Sequence, residues 1–289
     1  MSSSPIVVID SGLGGLTVVR ALRAALPAEH IIYFGDTARV PYGSKTAGTV
    51  TMFVRQIIHY LRAFEPKHVV IACNTATALS LQAVRKEFGD LSISGVIEPG
   101  ARAAVGAAGG KASPLIGIIA TEATIRSRAY ENAIARRRTM ARVLTRATPL
   151  LVPLIEEGRD QEDPVVRLAL RQYLLPMHKE QIDVLVLGCT HYPIYRSLIG
   201  RMLGPQVAVI DSADQCAQDV CRRLGNASRL RRSAIGGGLR CFVTDDAARF
   251  ARLAERFLGQ DVEPPAWVSP EDLRETVVQS PHLALRSAV

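Results

Sequence analysis

The sequence predicts an α/β fold of two similar domains, each a mainly parallel sheet flanked by helices. Two observations support this prediction. Short runs rich in Val and Ile alternate with longer stretches in which apolar residues recur at helical spacing, as in buried parallel strands joined by crossover helices. One pattern also occurs twice, as VVIACNTATA at residues 69–78 and as LVLGCTHYPI at residues 185–194, so the two halves of the chain resemble each other.

The individual elements follow from the same periodicities. Amphipathic patterns predict helices at residues 16–26, 46–64 and 77–88. A Gly-rich turn at 236–238 precedes a further short strand at 241–244. The other apolar runs predict buried strands at residues 6–9, 30–34, 68–72, 94–97, 115–119, 184–187 and 207–210.

The chain crosses between its two halves at two places. Pro99-Gly100 and the small residues after it mark the passage into the second half, and Val-Ile-Asp-Ser at 209–212 marks the return. The residues after Trp267 are expected to be poorly structured. We therefore predict a discontinuous first domain of residues 1–97 and 210–267, a second domain of residues 98–209, and a C-terminal tail of residues 268–289.

Composition narrows the class of protein. The chain has 289 residues, 48% of them hydrophobic, which is enough for a sizeable core. It begins without a signal peptide pattern and has no apolar run of the ~20 residues that a membrane span needs, so we expect a cytoplasmic protein. A net charge of +8 permits contact with polyanions, but the arginine clusters at 136–138 and 229–232 lack interleaved aromatic residues that would stack on bases. Nucleic-acid and membrane binding are not expected.

Cofactors and metals are not expected either. The five cysteines are scattered and odd in number, which favours reduced thiols, and no C-x-x-C pair suggests a metal site. The glycines at 12, 14 and 15 fit neither a dinucleotide-binding nor a phosphate-loop motif. None of the five lysines has a setting that suggests a Schiff base.

Two cysteines occupy equivalent places in the repeated pattern. Cys73 and Cys189 each follow a predicted strand and precede a helix start. Ligands of open α/β sheets bind beyond the carboxyl ends of the strands, so these thiols, with Asp10 and Thr121, are predicted at site-forming edges. Free N–H groups at a helix start favour a thiolate and an anionic ligand. A single cysteine there is more often a small core residue, but the matched settings favour chemistry.

Two opposed thiols would permit one reaction without a cofactor. If they flank a stereocentre, one thiolate removes its proton while the other thiol delivers a proton from the opposite face. The remaining cysteines, Cys216, Cys221 and Cys241, lack a matched setting and are expected to contribute to packing.

For each of the other candidate residues, the sequence allows either a role at the site or a purely structural role. Asp10 and Ser11 end a strand, where they could contact a ligand or cap the next helix. Tyr42-Gly43 lies in a loop where glycine could let backbone approach a ligand or could form a simple turn. His191 could tune the thiol two residues before it or could be a capping residue.

Four motifs carry a family resemblance, in order and at suitable spacings across residues 5–260. They are IDSGLGGLT at 9–17, YFGDT at 33–37 with PYG at 41–43, ACNTA at 72–76, and LGCTHYP at 187–193. Together they resemble the bacterial glutamate racemases of the aspartate/glutamate racemase superfamily.

The resemblance implies an active site between two α/β domains, no cofactor, and conversion between L- and D-glutamate for peptidoglycan synthesis. It implies that Cys73 takes the proton from D-glutamate and Cys189 takes it from L-glutamate, with Asp10 and His191 as auxiliary residues. Thr148 stands where the family often has a cysteine. The residues that match the family's substrate contacts are Asp10, Ser11, Tyr42, Gly43, Asn74, Thr75, Thr190 and His191.

Some expectations are less firmly matched. Thr121 and Thr124 are expected to line the site, and a third auxiliary acid is expected at Glu156 or Glu157. Since no arginine falls inside the four motifs, backbone N–H groups and hydroxyls are expected to hold the two substrate carboxylates.

The resemblance also bears on partners and on alternatives. It implies a homodimer, and the basic charge leaves open a gyrase-inhibiting activity of the kind attributed to some glutamate racemases. The short stretch before the first strand gives no reason to expect activation by a cell-wall precursor. An aspartate or hydantoin racemase remains the alternative enzyme.

Overall fold

The computed structural model describes residues 3–278, which form two parallel sheets with helices on their faces. The strands are β1 (Ile6–Asp10), β2 (Ile31–Gly35), β3 (His68–Ile71), β4 (Ile93–Gly95), β5 (Leu115–Ala120), β6 (Arg142–Ala147), β7 (Val184–Gly188), β8 (Ala208–Asp211), β9 (Leu239–Val243) and β10 (Ala266–Trp267). The larger sheet has the order β10-β9-β2-β1-β3-β4, and the smaller sheet has the order β6-β5-β7-β8.

Helices connect the strands of each sheet. They are α1 (Leu16–Ala25), α2 (Ala47–Leu61), α3 (Asn74–Glu87), α4 (Ile97–Ala107), α5 (Glu122–Arg126), α6 (Ala129–Ala135), α7 (Leu151–Glu156), α8 (Pro164–Lys179), α9 (Arg196–Leu203), α10 (Ala213–Asn226), α11 (Ala247–Leu258) and α12 (Pro270–Val278). Short 3₁₀ turns lie at Thr37–Arg39, Tyr42–Ser44, Arg62–Phe64 and Tyr192–Tyr195.

The larger sheet is covered on both faces, which explains its continuous apolar strands. Every residue of β1 is buried. Ile6 and Val8 pack into the core that contains α1, whereas Val7 and Ile9 pack into the core that contains α2. Alternate side chains of one strand therefore serve two hydrophobic cores, as expected of a central parallel strand.

The internal similarity of the sequence is also a similarity of topology. The order β2-β1-β3-β4 in the larger sheet matches β6-β5-β7-β8 in the smaller sheet, and all of these pairings are parallel. In this correspondence β1 matches β5 and β3 matches β7. The prediction of an α/β fold with two similar halves is confirmed, while the exact bounds of the two domains stay a prediction.

Two local expectations were wrong or incomplete. The residues after Trp267 were expected to be poorly structured, yet α12 packs against α2, with Val268 and Leu273 buried. Burial of these two apolar side chains gives the segment a reason to fold, and residues 279–289 lie outside the described part. Strand β6 was not predicted, because this edge strand is partly exposed and has no continuous apolar run.

The structure also bears on membrane spans, disulfides and metal sites. Within residues 3–278, no helix has both the length and the apolar character needed to cross a membrane. All five cysteines are free thiols. Residues 3–278 contain no group of three or more His, Cys, Asp or Glu side chains placed to hold a metal ion.

Candidate active site

A cavity of about 430 Å³ opens where the carboxyl ends of the two sheets face each other. Ser11, Cys73, Thr121 and Cys189 follow β1, β3, β5 and β7 respectively, and all four line this cavity. Matched strands in the two halves thus contribute matched wall residues. The other predicted site residues on the wall are Tyr42, Gly43, Asn74, Thr75, Thr190 and His191.

Cys73 forms the N-terminal cap of α3. Its Sγ accepts a hydrogen bond from the Ala76 N–H at 3.4 Å, which is why the helix begins earlier than the predicted residue 77. The thiol is 6% exposed. Burial and, to a smaller extent, the Asp10 carboxylate raise the pKa of Cys73 to about 12, against the lowering effect of hydrogen bonds from Ala76 and Ser11. Cys73 therefore rests as a neutral thiol.

Asp10 lies behind the cavity wall and contacts both halves of the protein. Its Oδ2 accepts from the Gly12 N–H at 3.0 Å, and its Oδ1 accepts from Oγ1 of Thr190 at 3.5 Å. Burial raises the pKa of Asp10, while the charge of His191 opposes this shift. Because α1 begins only at Leu16 and Gly15 occupies its cap position, the helix-cap reading of Asp10 is wrong.

Cys189, His191 and Glu156 form a chain of polar contacts on the opposite wall. Cys189 Sγ lies 3.8 Å from His191 Nδ1, and His191 Nε2 lies 3.0 Å from Glu156 Oε1. Burial alone would lower the pKa of His191, but its contacts with Cys189 and Glu156 outweigh burial and raise the pKa to about 10. The ring is therefore a cation near neutral pH, and its side chain makes no capping bond.

The structure separates the two candidate auxiliary acids. Glu156 is largely buried and reaches His191, whose hydrogen bond and charge lower the pKa of Glu156 despite the opposing effect of burial. The Glu157 side chain is 59% exposed and pairs with Arg159 at 2.9 Å. Glu156 is thus the carboxylate placed to act on the imidazolium.

Three threonine hydroxyls join the two halves beside the cavity, where Thr75 and Thr121 line the wall but Thr124, which was also expected to line the site, does not. Thr75 Oγ1 lies 2.8 Å from Thr121 Oγ1 and 3.2 Å from Thr124 Oγ1, and the last two hydroxyls are 3.0 Å apart. Gly43 packs closely against this group, since a Cβ there would lie 2.9 Å from Thr121 Cβ. The adjacent Tyr42 hydroxyl donates to Asp36. Glycine at position 43 therefore permits a close approach between the two halves.

Sequence reasoning missed one cation of the site. Arg249 lines the cavity from α11, although its side chain is largely exposed, and its charge helps to lower the pKa of Glu156. Arg249 lies outside the four motifs, so the expectation that backbone N–H groups and hydroxyls hold the substrate carboxylates did not include it and stays a prediction. No motif surrounds Arg249, and its helix reaches the cavity only through the fold, so the linear sequence gave no signal for it.

Comparisons with known proteins point to one family. The family model for Asp/Glu/Hydantoin racemase matches residues 6–220. A glutamate racemase of Neisseria meningitidis serogroup A is 46% identical over 265 residues, which is 92% of this chain and 96% of the relative.

Two solved structures point to the same family. A glutamate racemase isoform of Bacillus anthracis superposes with a TM-score of 0.88 at 38% identity and covers 93% of this chain and 99% of its own. A glutamate racemase of Francisella tularensis, solved in complex with D-glutamate, superposes with a TM-score of 0.85 at 35% identity. The match covers 93% of this chain and 98% of that relative. The chain therefore belongs to the Asp/Glu/hydantoin racemase family and is an amino-acid racemase.

Proposed function

We propose that this racemase interconverts L- and D-glutamate by proton transfer between Cys73 and Cys189, and that its D-glutamate supplies peptidoglycan synthesis in the cytoplasm. The main supporting observation is that two thiols from equivalent strand ends line one cavity. A carboxylate lies near the first thiol and an imidazolium lies near the second. The D-glutamate complex of the Francisella tularensis relative supports glutamate as the substrate.

The chemistry balances without a cofactor. In the L-to-D direction, the Cys189 thiolate takes the α-proton, and the electron pair of the broken C–H bond stays on the α-carbon. The Cys73 thiol then gives its proton to the opposite face of that carbon and becomes a thiolate. In the D-to-L direction the two residues exchange roles, so the number of protons on the enzyme is unchanged.

The two thiols have different charged neighbours. The His191 imidazolium lies 3.8 Å from Cys189 Sγ, where it would stabilise negative charge that develops on that sulfur. Burial and the Asp10 carboxylate instead keep Cys73 protonated. The ammonium group of a bound substrate would ease ionisation of Cys73 for the D-to-L direction.

Substrate recognition rests on donors that point into the cavity. The N-terminus of α3 at Asn74 and Thr75 presents free backbone N–H groups, which suit a carboxylate. Ser11, Thr190 and the Tyr42-Gly43 loop line the same space, and Arg249 adds a positive charge at its wall. These groups match a substrate with two carboxylates. The homodimer and the gyrase-inhibiting activity stay predictions.

The proposal is tested by following circular dichroism of purified protein with L-glutamate, D-glutamate or L-aspartate and no added cofactor. We expect both glutamate enantiomers to racemise and aspartate to react far more slowly. In D₂O, the product should gain deuterium at the α-carbon while remaining substrate gains little early in the reaction. Faster turnover of aspartate than of glutamate would contradict the substrate assignment.

The roles of the two thiols are tested with glutamate analogues that eliminate a β-leaving group after deprotonation. Elimination removes the equilibrium constraint that ties the two directions of racemisation together. We expect Cys73→Ser to lose mainly the reaction of the D-analogue and Cys189→Ser that of the L-analogue, because a serine hydroxyl is far too weak an acid to serve as the base. Cys216→Ala, buried outside the cavity wall, is the control and should retain activity. Equal loss for both enantiomers in each serine variant, with folding intact, would refute the two-base assignment.

A further inference from the structure

Asn74 holds a buried donor without a partner. Its side chain is 2% exposed and lines the cavity directly after Cys73. Oδ1 accepts from the Tyr130 hydroxyl at 2.7 Å, whereas Nδ2 is buried and has no hydrogen-bond partner among residues 3–278. An unpaired buried donor is costly, so its presence at a cavity wall points to a ligand that supplies the acceptor.

Tyr130 reaches Asn74 from the other half of the protein. It lies on α6 and is 2% exposed. Two glycines approach opposite edges of its ring: a Cβ at Gly100 would lie 3.3 Å from Cε1, and a Cβ at Gly188 would lie 3.2 Å from Cε2. Backbone on both sides therefore fixes the ring, and Gly188 directly precedes Cys189.

A second hydroxyl lies beside that of Tyr130. Burial raises the pKa of Tyr130 well above its usual range, and a hydrogen bond with the Ser212 side chain lowers it. Ser212 Cβ and the Tyr130 hydroxyl each lie 3.2 Å from the Cβ that a side chain at Gly100 would carry, so Ser212 and Gly100 hold the phenol on one side. The Tyr130 hydroxyl itself donates to Asn74 Oδ1, which leaves Nδ2 as the unpaired end of the carboxamide.

We propose that Tyr130, supported by Ser212, is a positioning residue that holds the Asn74 carboxamide with Nδ2 free to bind a substrate carboxylate. This inference rests on the proposed function. Glutamate offers carboxylate oxygens as acceptors and an ammonium group as a donor, so Nδ2 can serve only a carboxylate. The relay from Ser212 through Tyr130 orders this contact beside Cys73 before the substrate arrives.

The test is Tyr130→Phe, which removes only the hydroxyl. We expect KM for both glutamate enantiomers to rise about tenfold, the effect of one lost hydrogen bond, with kcat changed less than about twofold. Tyr195→Phe is the matched control, since this buried tyrosine donates to the backbone oxygen of Arg159 at 3.0 Å and lies off the cavity wall. Both variants should lose thermal stability, but the control should keep its KM.

A double-mutant cycle separates positioning from general packing. In an Asn74→Ala background, Tyr130→Phe should raise KM no further, because Tyr130 acts through the carboxamide. Ser212→Ala should raise KM in the same direction by a smaller factor, and it provides a second test if Tyr130→Phe folds poorly. The Ser212 side chain caps no helix, so α10 should not be weakened.

Three results would overturn the inference. These are an unchanged KM in folded Tyr130→Phe, an unchanged KM in Ser212→Ala, or an equal rise in KM with and without the Asn74 side chain. If the wild-type protein racemises glutamate and one of these results is obtained, the positioning role fails alone. If the wild-type protein does not act on glutamate, the proposed function fails and this inference fails with it.

Discussion

Gly14 offers a sharp test of how the two halves meet. It lies in the turn between β1 and α1, against two residues of the other half. A Cβ at Gly14 would lie 2.3 Å from Thr190 Oγ1 and 2.5 Å from His191 Nδ1. The backbone of Gly14 does not have a positive φ, so alanine fits the local conformation and the perturbation is steric.

The size of the effect follows from those distances. Non-bonded contacts of this kind are favourable near ~3.5 Å, so the Thr190-His191 segment must move by about 1 Å. Overpacking of this kind costs about 1–3 kcal/mol in stability. A displacement of about 1 Å at a reacting group costs about 10²-fold in rate. We therefore expect Gly14→Ala to fold, to melt a few degrees lower, and to lose about 100-fold in kcat/KM.

Racemisation of both enantiomers by circular dichroism, with thermal unfolding of the same samples, measures this effect. Gly48→Ala is the matched control, because its Cβ would meet nothing within 4 Å in the first turn of α2. That variant should keep wild-type kcat/KM and melt at the same temperature or slightly higher. A Gly14→Ala variant within about threefold of wild type would refute the close packing of the two halves at this point.

Three other predictions concern charge and cofactors. Glu156→Gln should lower the pKa of His191 and slow L-glutamate deprotonation at least about tenfold, whereas Glu157→Gln should stay near wild type in the same elimination assay. Burial lowers the pKa of His68 from 6.5 to about 4, so the neutral ring stabilises the fold fully above pH 6.5 and loses about 3 kcal/mol as the pH falls toward 4. His68→Gln should therefore flatten the pH dependence of urea unfolding in that window, and an unchanged slope would contradict this reasoning. Racemase activity should survive dialysis against a chelator, and restoration of a dialysed, inactive enzyme by pyridoxal phosphate or a metal would count against the mechanism.

The pattern of apolar residues along the sequence predicted the strands that are buried on both faces. The central strands are almost entirely apolar because both of their faces are covered, and that signal is visible in the sequence. Edge strand β6 and helix α12 gave weaker signals, since their stability depends on what they pack against. The correspondence of Cys73 with Cys189 was predictable because the sequence pattern around them repeats, and each thiol follows a strand whose carboxyl end lies at the site-forming edge of its own sheet.

The sequence by itself determined the α/β class, the repeated half and the two thiols, since each is a property of residues close together in the chain. The tertiary structure decided that Glu156 rather than Glu157 meets His191, because neighbouring positions at the end of a helix point about 100° apart. It also brought Arg249 to the cavity and Tyr130 to Asn74. These contacts join segments far apart in sequence, and their geometry is set by how helices and sheets pack, which no local pattern encodes.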